Sequence, residues 1–147
     1  MSLIKSISGI RGTIGGKVDD NLTPVDVVKF TAAFGTWLQK TQNKKDLTLG
    51  IGRDARISGA MVNSLVTATL QGLGINVVDL GLSTTPTVEV MVPELNADGG
   101  IILTASHNPK QWNALKLLNE KGEFISGKDG AEMVENGEKE DFNFAEV

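Results

Sequence analysis

Residues Thr104-Ala105-Ser106-His107-Asn108-Pro109 place a hydroxyl, the only imidazole of the chain and a carboxamide in one short loop. That loop directly follows the apolar run Ile101-Ile102-Leu103. A loop just beyond a buried strand is where α/β sheets hold their ligands. Ser106 can serve there as a nucleophile, but not with His107 as its base, because neighbouring residues of an extended chain point to opposite sides. On the hexapeptide alone the simpler reading is a turn in which the serine and asparagine bond local backbone groups. Three arginines in loops between the expected elements add weight to the chemical reading. Arg11 lies in the glycine-rich stretch Ser6 to Gly16, and Arg53 and Arg56 flank Asp54 and Ala55. Guanidinium groups match phosphate oxygens bidentately, and glycines let backbone N–H groups approach an anion. Two other readings stay open: an internal ion pair bracing Arg53 to Arg56, and a plain surface turn at Arg11.

Regular elements must hold these loops. The Ser6 to Gly16 stretch, with its repeated glycines, is expected to be a structured loop. Thr23, Pro24 and Asp26 read as the cap and first turn of a helix, and Val27, Phe30, Phe34 and Trp37 as its inward stripe. Leu47 to Ile51 and Ile75 to Leu80 read as strands. Between them Ser58 is expected to cap a helix with Met61, Val62, Leu65, Thr69 and Leu73 on one face, closed by Gly74. That order makes a parallel βαβ unit. Thr84-Thr85-Pro86 opens a further helix, and Ile101 to Leu103 a further strand. Leu115 to Leu118 and Glu123 to Ile125 read as two strands around a turn, and Ala131, Met133 and Val134 as a short last helix before an acidic tail. The expected fold is α/β, a three-layer α/β/α sandwich with a mixed, mainly parallel sheet.

Composition narrows the function. The 147 residues fit one domain, and 14 Lys and Arg against 18 Asp and Glu give a net charge of −4. An acidic chain is a poor nucleic-acid or anionic-membrane binder. The absence of cysteine excludes disulfides, thiolate metal sites and a cysteine nucleophile, and fits a cytoplasmic location. No apolar run approaches the length of a membrane span, and Met1 to Lys5 lacks the apolar stretch of a leader. Glycine supplies 17 of the 147 residues, against about 7% on average, and marks sharp turns. Neither a Walker loop nor a dinucleotide-binding glycine fingerprint is present.

SGIRG at 8–12, GRDAR at 52–56, TTPT at 84–87, TASHNP at 104–109 and WNALK at 112–116 occur in the order seen in the α-D-phosphohexomutases. From about Ile4 to Gly130 the chain resembles the N-terminal domain of that family, which includes phosphoglucomutase, phosphomannomutase and phosphoglucosamine mutase. The resemblance implies that Ser106 carries a phosphoryl group, passes it to a hexose phosphate to give a hexose bisphosphate, and takes the other phosphate back, interconverting the 1- and 6-phosphates. It implies catalytic roles for Ser106, Lys116, Arg11 and His107, with Lys116 as general base or acid for the sugar hydroxyl. Arg11, Asn108, Arg53 and Asn113 would contact phosphate or sugar. Read from its own alternation, Lys116 simply points outward between Leu115 and Leu117 on an edge strand. Ala114 stands where many members have glycine.

Mg2+ is the implied cofactor, with Ser106 contributing a ligand through its phosphate. No aspartate-rich metal loop occurs between Met1 and Val147, since Asp19-Asp20 and Asp129 are isolated. The expectation is a single domain over 1–147, separated from the later domains of its own chain and inactive alone, with a homodimer as a further possibility. The rival reading is a non-enzymatic phosphosugar-binding or interaction module with the same fold.

Overall fold

Thr23 opens the first helix, α1 (Pro24–Thr41), through a capping box: its side chain accepts from the Asp26 N–H, while the Asp26 carboxylate accepts from the Thr23 N–H. The inward stripe of α1 is fully buried at Val27, Phe30 and Phe34, and burying each such side chain stabilises the fold by about 1.5–3 kcal/mol. The computed structural model describes residues 2–6 and 9–146.

Ten elements follow one another among the described residues: β1 (Ile4–Ser6), β2 (Gly9–Thr13), α1, β3 (Thr48–Arg53), α2 (Gly59–Gly72), β4 (Asn76–Leu82), α3 (Thr85–Glu94), β5 (Gly99–Leu103), β6 (Trp112–Leu118) and α4 (Gly127–Lys139). The strands form one sheet in the order β1-β2-β6-β5-β3-β4. The expected βαβ unit is present, with β3 parallel to β4, and β5 joins β3 in parallel on its other side.

Three expectations need correction. The Ser6 to Gly16 stretch is not a loop but contains β2, which pairs antiparallel with β1 and with β6. Ile7 and Ser8, the latter the first residue of SGIRG, lie outside the described residues. With β5 and β6 also antiparallel, three of the five pairings are antiparallel, so the sheet is mixed but not mainly parallel. Glu123 to Ile125 makes only a single bridge, from Phe124 to Leu118, in place of a strand.

Alternation along the strands divides the core. Ile101, Leu103, Leu115 and Leu117 face the larger cluster shared with α1, α2 and α4, whereas Ile102 and Leu118 face Val88 and Val92 of α3. These are the two outer layers of the expected sandwich. On the α3 side the strands are floored by glycine: a Cβ on Gly100 would lie 2.7 Å from Val92 Cγ2, closer than packed carbons allow. The inward face of α2 is Val62, Val66, Thr69 and Leu70; Met61 is partly exposed, contrary to the expected stripe. No helix among the described residues is long and apolar enough to cross a membrane.

Candidate active site

β5 ends at Leu103 and the chain returns as β6, with Leu103 opposite Leu115. The TASHNP loop is therefore the connection of an antiparallel pair. It stands above an open floor, because α3 packs over β3, β5 and the Leu118 end of β6, away from the part of β6 that pairs with β2. On that floor the register sets Arg11 opposite Ala114 and Gly9 opposite Lys116. Residues 9, 11, 114 and 116 share one face of the sheet. Gly9 has φ +153°, and a Cβ there would collide with the carbonyl of Leu115, so only glycine lets β2 lie this close to β6.

The result is a cleft of about 420 Å³ lined by Arg11, Ser106, His107, Asn108 and Lys116, with Ser6 and Gly9 at its side. Lys116 Nζ donates to Ser106 Oγ at 2.6 Å. Ser106 is exposed, and its φ of +50° places it in the left-handed region that a residue with a Cβ seldom occupies. Such outliers cluster at functional sites. No carboxylate lines the cleft. In a chain of net charge −4 this is a local cationic pocket, suited to an anion. Ser106, Lys116, Arg11, His107 and Asn108 are thus brought together as the sequence led one to expect. Lys116 lies on an interior strand, paired on both sides, not on an edge.

Arg53 and Asn113 are not brought there. Arg53 is half-buried, donates to the Asp54 carbonyl at 3.3 Å, and is absent from the cleft wall. Asn113 is fully buried on the opposite face of β6: its Nδ2 donates to Ser58 Oγ at 2.9 Å, and its Oδ1 accepts from the Ala114 N–H. A side chain so placed cannot reach phosphate. Ser58 correspondingly does not cap α2 with its hydroxyl.

Arg56 settles the question left open over GRDAR. Its Nε bonds Asp54 Oδ2 at 3.2 Å; Nη1 bonds the carbonyls of Pro109 and Trp112 at 2.7 and 3.1 Å; Nη2 bonds those of Ser106 and Asn108 at 2.8 and 2.9 Å. All five donors of the guanidinium are occupied within the chain, so Arg56 braces the loop and has none free for a bound phosphate. Asp54 also accepts from Thr104 Oγ1 at 2.6 Å, and that hydroxyl accepts from the Ser106 N–H at 3.2 Å. Sequence reasoning allowed an ion pair within GRDAR but missed that Asp54, through Thr104, supports the serine loop. The signal available for them was the recurrence of short polar side chains at the ends of two neighbouring apolar strands.

The model of the phosphoglucomutase/phosphomannomutase alpha/beta/alpha domain I matches residues 3–144. A phosphoglucomutase/phosphomannomutase of Thermococcus kodakarensis is 36% identical over 91% of this chain and 30% of its own length. A phosphoglucosamine mutase of Alkaliphilus oremlandii is 33% identical over 83% of this chain and 26% of its own. The fold agrees with the crystal structure of a phosphoglucomutase/phosphomannomutase family protein from Burkholderia thailandensis, with TM-score 0.80 and 24% identity over 97% of this chain and 31% of that one. The chain thus spans less than a third of the length of these relatives. Matched along nearly its whole length, it belongs to the phosphoglucomutase/phosphomannomutase family, as that family's α/β/α domain I.

Proposed function

We propose that Ser106 is the phosphoryl carrier of a phosphohexomutase that interconverts hexose 1- and 6-phosphates through a hexose bisphosphate. The observation that carries this reading is the 2.6 Å contact between Lys116 Nζ and an exposed Ser106 Oγ, held on a left-handed turn in a cleft without carboxylates. Phosphoryl transfer asks for alignment and charge neutralisation more than for a strong nucleophile.

In the forward step the bond from phosphorus to Ser106 Oγ breaks and a bond from phosphorus to the sugar oxygen forms. Lys116 gives a proton to the departing Oγ and recovers one from the attacking sugar hydroxyl, so the proton count closes. Arg11 neutralises phosphate oxygens from the neighbouring strand, and His107 and Asn108 orient the sugar phosphate at the rim. The return step reverses these roles on the other phosphate.

Mg2+ cannot be held by this chain's side chains alone. Among the described residues no three His, Asp or Glu groups converge, and the cleft offers no carboxylate, whereas Mg2+ prefers a nearly octahedral set of oxygens. The phosphate on Ser106 would be the one ligand supplied here. With the remaining ligands and the rest of the sugar site supplied from elsewhere in a longer protein, these 147 residues alone are expected to turn over no hexose phosphate. The test is intact-mass measurement of the full-length protein. It should carry one phosphoryl group, localised to Ser106, lost to added hexose 1-phosphate and absent from Ser106→Ala. A protein that binds hexose phosphate yet never carries that group would instead be a phosphosugar-binding module.

A further inference from the structure

Ser106 is held in a strained backbone conformation, and the groups that hold it come from a different strand. A left-handed φ at a serine, here +50°, is strained and persists only where surroundings over-determine it. Around this loop the surroundings are Arg56 and Asp54, just beyond β3. The guanidinium takes the carbonyl of Ser106 itself, two carbonyls further along the loop, and that of Trp112, the first residue of β6. Asp54 fixes the other end, through Thr104 to the Ser106 N–H. The side chain of Arg56 is only 11% exposed, and none of its donors is free for a ligand.

We propose that Arg56, aligned by Asp54, is the positioning residue that sets Ser106 Oγ against Lys116, by tying the serine loop to the strand that carries the lysine. This rests on the phosphoryl-carrier reading for its consequence, but not for its geometry. The clamp needs shape, not charge: a planar fork serves four carbonyls at once, which an ammonium cannot. Lysine at position 56 should therefore fail although the charge is kept.

Two measurements test this. In this 147-residue chain, Arg56→Lys should speed hydrogen exchange at the amides of Ser106, Asn108 and Trp112, while amides within β3, β5 and the rest of β6, from Asn113 to Leu118, keep wild-type protection. In the full-length protein the same variant should discharge phosphoserine about 10²-fold more slowly, the cost expected of a misplacement near 1 Å. The loss should fall on kcat more than on KM for hexose phosphate, because Arg56 has no donor free for substrate and acts only through the loop. Should Arg56→Lys not fold, Asp54→Asn, which loosens the same clamp from its anchor, must show both effects. Wild-type exchange and discharge in a folded variant overturn the proposal. A wild-type protein that never carries phosphate on Ser106 overturns the phosphoryl-carrier reading instead, and the exchange measurement still decides the clamp.

Discussion

Replacing Lys116 by methionine is the most direct trial of the proposed chemistry. Methionine keeps most of the apolar stem and removes the ammonium that lies 2.6 Å from Ser106 Oγ. The backbone of β6 stays paired with β2 and β5, and a swap of similar volume at this half-buried position should change stability by less than about 1.5 kcal/mol. The catalytic loss is larger. A hydrogen bond to a charged group contributes about 1.5–3 kcal/mol, and the upper figure alone is a rate factor near 10². If the same group also moves the proton, general acid–base catalysis extends the factor toward about 10⁴. Only the part of the interaction that strengthens as Oγ departs counts toward kcat. Lys116→Met should thus lower kcat of the full-length enzyme between about 10² and 10⁴-fold, measured by single-turnover discharge of the phosphoserine. A folded, phosphorylated variant discharging within about tenfold of wild type would refute the assigned role of this lysine.

Glu138 on α4 accepts from Lys29 of α1 at 2.9 Å and from Lys5 of β1, and these hydrogen bonds, Lys29 first, hold its carboxyl below the ordinary range. Stabilisation from a depressed carboxyl is present above the unfolded pKa and lost as pH falls through the folded one. Because Glu138 is 40% exposed, Glu138→Gln should cost no more than about 1 kcal/mol at neutral pH. By denaturant titration the difference from wild type should shrink as pH falls through the depressed carboxyl pKa, and a difference that stayed constant into strong acid would count against the ion pair. Burial works to lower the Lys5 pKa, but Glu138 and Asp19 outweigh it and the pKa is raised. That contribution is full below the ordinary lysine range and should be lost as pH rises through the elevated value. Gly9→Ala should destabilise by about 1–3 kcal/mol from crowding against the Leu115 carbonyl, and should also impair phosphoserine discharge, since the same displacement moves Arg11; a fully stable, fully active variant would contradict the β2 to β6 register.

Much of the scaffold is written locally. Thr23, Pro24 and Asp26 announce α1 within four residues, and the alternation from Leu47 to Leu80 reveals the βαβ unit, because capping bonds and amphipathic periods are satisfied by near neighbours. Ser6 to Gly16 misleads because β2 is strand only by virtue of its partners; four glycines in eleven residues carry no β propensity of their own. Glu123 to Ile125 misleads in the opposite sense, having strand-like residues with nothing to pair along except Leu118. Recognition of the motifs named the serine, the lysine and Arg11, but could not separate arginines that look alike in GRDAR.

The sequence by itself determined the secondary elements with local caps and periods, the residue types of the serine loop, and the family. Only the tertiary structure decided that Arg56 is a brace, that Asn113 faces the core, and that Lys116 meets Ser106. Each of those depends on strand register, where a slip of one residue exchanges the two faces of the sheet, and register is fixed by pairings between segments as distant as Gly9 and Lys116.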